Sequence, residues 1–124
     1  MVDESPFKGQ TGLRRVWNAL HYSLAGLRAA LVAEDAFRQE VLIAALLIPW
    51  SFFLAVDGIG RALMIGSVLL VLIVELLNSA IEATVDRISL DRHHLAKRAK
   101  DIGSAAVLLA LLNALLIWAC VLLG

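Results

Sequence analysis

The chain has 124 residues, of which 60% are hydrophobic and 18% charged, and its formal net charge is zero. It is too apolar for a soluble domain of this size and fits a small integral membrane protein forming one compact unit. Neutrality without a basic patch among aromatics excludes nucleic acid as a partner, and the single cysteine, Cys120, excludes an intrachain disulfide or a thiol metal cluster.

Residues 1–12 read as a polar tail. The opening MVDESPFKGQTGLRR has no apolar run followed by a small-residue cleavage site, so no secretory signal is expected. Over residues 13–33, Leu13, Val16, Trp17, Leu20, Leu24, Leu27 and Leu31 recur at three- and four-residue steps. Arg14, Arg15, Asn18, His21 and Arg28 fall mostly between them. This pattern predicts an amphipathic helix lying on a membrane surface.

The rest of the chain, residues 34–124, reads as a transmembrane unit of three helices. A charged cluster, EDAFRQE at 34–40, leads into a first span over about 37–56. The apolar part from Val41 to Val56 covers roughly 24 Å at helical rise, against a hydrocarbon core of about 30 Å, so residues from Phe37 onward have to contribute. Pro49 predicts a kink within it, and Asp57 to Gly60 a tight turn after it. The second span is expected over residues 62–85 and the third over 105–123.

The cations order these spans across the bilayer. Lys8, Arg14, Arg15, Arg28 and Arg38 precede the first span, and Arg87, Arg92, Lys97, Arg98 and Lys100 lie between the second and third. Only Arg61 lies between the first and second. By the positive-inside rule, the N-terminus and the loop before the third span are cytoplasmic and the C-terminus is outside.

The second span contains Glu75, Asn78 and Glu82, which share one helical face that Asp86 continues. Carboxylates in hydrocarbon are costly and mark functional interiors. Counting from residue 62, Glu82 and Asp86 reach the cytoplasmic boundary, while Glu75 lies about 10 Å deeper than Glu82. One carboxylate at depth and one at the interface are placed as a base and a cation ligand would be, on either side of a reacting group.

The segment from Glu75 to Asp86, ELLNSAIEATVD, resembles the signature E-x-x-N-S-A-I-E-x-x-V-D of the prokaryotic diacylglycerol kinase family. The likeness extends through GLRAA (26–30), EDAFRQE (34–40) and RAKDIGSAAV (98–107), and covers about residues 15–118. The resemblance implies an all-α integral membrane enzyme of the bacterial inner membrane, with a surface helix and three transmembrane helices per subunit. It also implies a homotrimer with sites shared between subunits, which uses ATP and Mg²⁺ to convert diacylglycerol to phosphatidic acid.

Carried over position by position, the resemblance makes Glu75 the catalytic base, and Glu34 and Glu82 the metal carboxylates. Arg15, Tyr22, Asn78, Asp91, His93, Lys100 and Asp101 correspond to nucleotide-contacting positions. Ser23, Arg28, Phe37, Arg38, Gln39, Glu40, Arg61, Ser104 and Trp118 correspond to positions lining the lipid site. Spacing alone would not identify a kinase, because neither a phosphate-binding loop nor a soluble-kinase glycine loop is present.

Other readings remain open at this level. The acceptor could be undecaprenol on the same fold, the buried carboxylate could serve a small proton-coupled transporter, or the chain could be a membrane scaffold. Without the resemblance, Glu34 in its polar cluster would be read as part of a solvated face.

Overall fold

In the computed structural model, residues 11–88 and 94–124 are described, and they form four helices with no strand among them. These are α1 (Gly12–Ala33), α2 (Asp35–Ser51), α3 (Gly58–Ile88) and α4 (His94–Leu123). The tail before residue 11 and the segment 89–93 lie outside the described residues.

The chain enters α1 through Gly12 at φ 64°, a left-handed conformation that favours glycine. Helix α1 continues without a break through Gly26. Its apolar stripe takes little part in packing the chain's own core: only Ala30 is buried, while Leu13, Val16, Trp17, Leu20 and Leu24 are exposed.

A single extended residue, Glu34 (φ −114°, ψ 110°), separates α1 from α2. The elbow is held by Arg38, whose Nη1 donates to the carbonyls of Leu31 and Val32 at 2.8 Å each while its Nη2 pairs with Asp35. A cation at a helix C-terminus satisfies carbonyls left without intrahelical donors and complements the helix dipole.

Helix α2 has 17 residues, about 25 Å at helical rise, and stops at Ser51 rather than running to residue 56. The physical reason is local. Pro49 has no N–H, and the next turns tighten: the Phe52 N–H bonds the Pro49 carbonyl at 3.1 Å and the Phe53 N–H bonds that of Trp50 at 3.0 Å. Arg61, from the start of α3, adds donors to three carbonyls of this stretch. Its Nε donates to Ser51 O at 3.0 Å, and its Nη2 to Leu54 O and Val56 O at 3.2 Å each. The guanidinium also lies 5.5 Å from the centre of the Phe52 ring.

The turn expected over residues 57–60 is replaced by a helix start. The Asp57 carboxylate accepts from the Gly60 N–H at 2.7 Å, and the Asp57 carbonyl accepts from the Arg61 N–H at 3.0 Å, so α3 already begins at Gly58.

Helices α3 and α4 are each long and apolar enough to cross a bilayer, and they pack against each other antiparallel. Their register is marked along the whole length. A Cβ on Gly60 would meet Val121 at 3.1 Å, Trp118 Nε1 donates to the Met64 carbonyl at 3.1 Å, Gly103 abuts Asn78, and Lys100 pairs with Asp86 at 2.7 Å. Trp118 also lies against Trp50 of α2, with ring centres 6.5 Å apart.

The core between α2, α3 and α4 is narrow: Phe37, Ala44, Met64, Val68, Val71 and Ala110, with Ser51, Ser67 and Glu75 as its polar members. Much of the apolar surface faces outward, most of all on α4, where only Gly103 and Ala110 are buried.

Removing the Arg61 guanidinium would take one donor each from the carbonyls of Ser51, Leu54 and Val56, which join the end of α2 to α3. Arg61→Ala is expected to lower stability in detergent by about 2 kcal/mol, and Arg61→Lys to restore only part of that, because a single ammonium cannot reach all three oxygens. Unfolding curves of the two variants that match wild type would remove Arg61 from this role.

Candidate active site

The site is organised on one face of α3. Glu75 is 7% exposed and sits in the core beneath the helix surface. One turn on, Asn78 Nδ2 donates to Glu82 Oε1 at 3.3 Å, while Asn78 Oδ1 is buried and has no hydrogen-bond partner among the described residues. Asp86 ends the stripe, paired at 2.7 Å with Lys100 of α4.

Two further carboxylates converge on this face from the other helices. Glu34 comes from the α1–α2 elbow and Glu40 from α2. Together with Glu82, both stand close enough to Glu75 to act on its carboxyl group through their charge. Glu40 also borders a cavity of about 460 Å³ between α2, α3 and α4, walled by Ile43, Leu47, Val68, Leu111 and Trp118. Glu40 is the only charged residue among its lining.

Carboxylates that act on one another in this way repel, and a proton or a bound cation relieves that repulsion. Among the described residues, no three potential ligands come together in a cage able to hold a metal unaided. The donor set nevertheless fits Mg²⁺ arriving with a nucleotide. That ion takes hard oxygen ligands, typically one or two carboxylates, and completes its shell with phosphates and water. Glu34 and Glu82 supply such oxygens, and the bond from Asn78 restrains one of them.

The cationic side of the site lies at the start of α4, ahead of its apolar stretch. The hydrogen bond to Asp86 holds the Lys100 ammonium above the usual lysine pKa, so it stays charged across the physiological range. Adjacent Asp101 turns the other way and pairs with Lys97 at 2.7 Å. It borders an open depression of about 360 Å³, shared with His94, Lys97, Arg98 and Ile102.

The remaining expected site residues are more scattered. Arg15, Tyr22, Ser23 and Arg28 are exposed on α1, and the Ser23 hydroxyl donates to the Ala19 carbonyl of its own helix at 2.8 Å. Gln39 and Ser104 are exposed, whereas Phe37 is 2% exposed and packed into the core. Arg38 is engaged at the elbow, and Trp118 borders the cavity with Glu40. Arg61 is not brought to the carboxylates: it lies 14 residues before Glu75 on α3, about 21 Å away, with its donors on backbone carbonyls. Asp91 and His93 lie outside the described residues.

Three features are not evident from the sequence reading: Glu40 as a fourth carboxylate, Asp86 as the partner of Lys100, and Gly103 as the surface behind Asn78. The first had a faint signal, since Glu34 and Glu40 belong to the same charged cluster ahead of the first apolar run. The other two depend on the α3–α4 register, which no local pattern encodes.

The family description "Prokaryotic diacylglycerol kinase" matches residues 21–122. Among curated relatives, a protein named diacylglycerol kinase from Pseudomonas aeruginosa is 62% identical over 123 residues, covering 99% of this chain and 100% of the relative. Its namesake from Escherichia coli K12 is 54% identical over 113 residues, 91% of this chain and 92% of the relative. One from Helicobacter pylori 26695 is 44% identical over 107 residues, 86% and 84% respectively.

A buried carboxylate retained for chemistry is a burden on the fold, whereas one retained for helix pairing supports it. Glu75→Gln, which keeps volume and removes charge, is expected to leave the unfolding midpoint in detergent unchanged or raise it. A clear fall would make Glu75 a structural residue.

Proposed function

The chain belongs to the prokaryotic diacylglycerol kinase family, and on that premise we propose that it transfers the terminal phosphate of ATP to diacylglycerol, giving phosphatidic acid. The observation that carries this reading is the burial of Glu75 on the same helical face as the Asn78–Glu82 bond.

In the mechanism we propose, Glu75 takes the proton from the lipid hydroxyl as its oxygen attacks the γ-phosphorus in line with the leaving oxygen. Glu34 and Glu82 would hold Mg²⁺, which supplies charge neutralisation and alignment of the phosphates when bound. Asn78 restrains Glu82, and Lys100 offsets the negative charge that spreads over the transferring group. Asp86 keeps the Lys100 ammonium at the end of the stripe where the phosphates would lie. Arg15, Tyr22, Asp91, His93 and Asp101 are assigned to the nucleotide. Ser23, Arg28, residues 37–40, Ser104 and Trp118 are assigned to the lipid. For Glu40 and Trp118, support comes from the apolar cavity they share.

The membrane setting follows the same reading. Helices α3 and α4 are long and apolar enough to cross the bilayer, shorter α2 would cross beside them, and the bared stripe of α1 would lie on the cytoplasmic surface of the bacterial inner membrane with the C-terminus outside. The outward apolar surface of α4 is available to lipid tails and to neighbouring subunits of a homotrimer. Acceptor hydroxyl and nucleotide would then meet where α3 leaves the hydrocarbon.

The test is phosphate transfer from labelled ATP in mixed micelles with Mg²⁺, comparing diacylglycerol with undecaprenol. Transfer to diacylglycerol is expected, with Glu75→Gln lowering kcat by about 10²- to 10⁴-fold and changing KM for either substrate little. Equal turnover in Glu75→Gln would refute the base assignment, and preference for undecaprenol would refute the acceptor.

A further inference from the structure

Asn78 is gripped on both sides of its amide. Nδ2 donates to Glu82 one turn along α3, and the buried Oδ1 points away from that bond without a donor among the described residues. What it faces is Gly103 of α4: a Cβ added there would overlap Asn78 Oδ1 and stand 3.2 Å from its Cγ. The bare Cα of Gly103 is thus the surface on which the amide oxygen rests, and Cα–H groups are weak donors to such an oxygen. The opposite amide orientation would set the oxygen against the Glu82 carboxylate and lose the conventional hydrogen bond. A buried carbonyl oxygen without a donor is normally avoided, and here it accompanies a fixed grip on Glu82.

Backbone conformation does not call for glycine at position 103. The residue lies within α4, positive φ among the described residues occurs only at Gly12, and glycine weakens a helix interior. Gly26, Gly58 and Gly66 have nothing within 4 Å of where a Cβ would stand, so Gly103 differs from them by what it touches.

We propose that Gly103 is a positioning residue of the phosphotransfer centre: its missing side chain seats the Asn78 amide, and the seated amide aims the Glu82 carboxylate. The proposal rests on the reading of Glu82 as a Mg²⁺ ligand and adds the reason that this carboxylate keeps one orientation. Any side chain at position 103 displaces Asn78, and Glu82 then loses its donor.

Binding of Mn²⁺ to the purified full-length protein with a non-hydrolysable ATP analogue, followed by electron paramagnetic resonance, tests this without turnover. Gly103→Ala is expected to weaken Mn²⁺ binding about tenfold, as loss of a hydrogen bond to a charged group would. The Mg²⁺ concentration for half-maximal activity rises by the same factor, and KM for diacylglycerol stays unchanged. Gly66→Ala, placed in open space on α3, keeps wild-type values.

Glu82→Gln separates the proposal from its premise. If Glu82→Gln loses Mn²⁺ but Gly103→Ala binds it like wild type, the role of Gly103 is overturned alone. If Glu82→Gln binds normally, the metal role of Glu82 fails and the proposal with it. Should Gly103→Ala not assemble, Asn78→Ser removes the amide that the new methyl would strike. A Gly103→Ala/Asn78→Ser protein that assembles as well as Asn78→Ser supports the contact, and one that does not assemble overturns it.

Discussion

Everything in this protein hangs on how α3 meets α4. Lipid tails are as apolar as leucine, so burying apolar side chains gives membrane helices little reason to associate. Close packing and polar bonds must do that instead. The pair uses both, with Gly60 beneath Val121, the Trp118 indole on the Met64 carbonyl, Asn78 on bare Gly103, and Lys100 on Asp86. These contacts fix one antiparallel register. That register puts the cationic start of α4 beside the carboxylate end of α3, with Lys100 on Asp86.

The second arrangement that matters is the elbow at Glu34. One extended residue joins the two helices, and it carries the carboxylate proposed to hold the metal. Arg38 ties the last carbonyls of α1 to the first turn of α2 across that joint, so the Glu34 direction is set by backbone contacts rather than by the side chain alone. Arg61 performs a matching task just past the far end of α2, where its fork reaches the carbonyls of Ser51, Leu54 and Val56. In both places an arginine fork covers several oxygens at a helix C-terminus, which a lysine ammonium would do less well. These two side chains have visible structural work beside whatever contact with lipid they make.

Much of the architecture is legible in the sequence, and the reasons it is incomplete are physical. The heptad-like stripe of residues 13–33 and the long apolar runs of α3 and α4 are periodic over many turns, so helix type and approximate extent follow from them. Helix ends are decided by single bonds. Pro49 pointed to a kink, but the backbone tightens just past it and the helix ends at Ser51 instead, and the Asp57 cap starts α3 where a turn was expected. For the site, the shared face of Glu75, Asn78, Glu82 and Asp86 follows from helical pitch alone. Which residues of other helices reach that face depends on register and elbow geometry. Glu40 and Gly103 were therefore invisible as members of the carboxylate group and its support until the helices were packed together.

The central claim is a single in-line transfer from nucleotide to lipid, with a carboxylate base and no phosphorylated protein in between. The most direct test is the stereochemical course with ATP made chiral at its γ-phosphorus. Phosphatidic acid formed with inverted configuration at phosphorus is what the account predicts. Retention would require two successive transfers and a phosphoenzyme, and would contradict it.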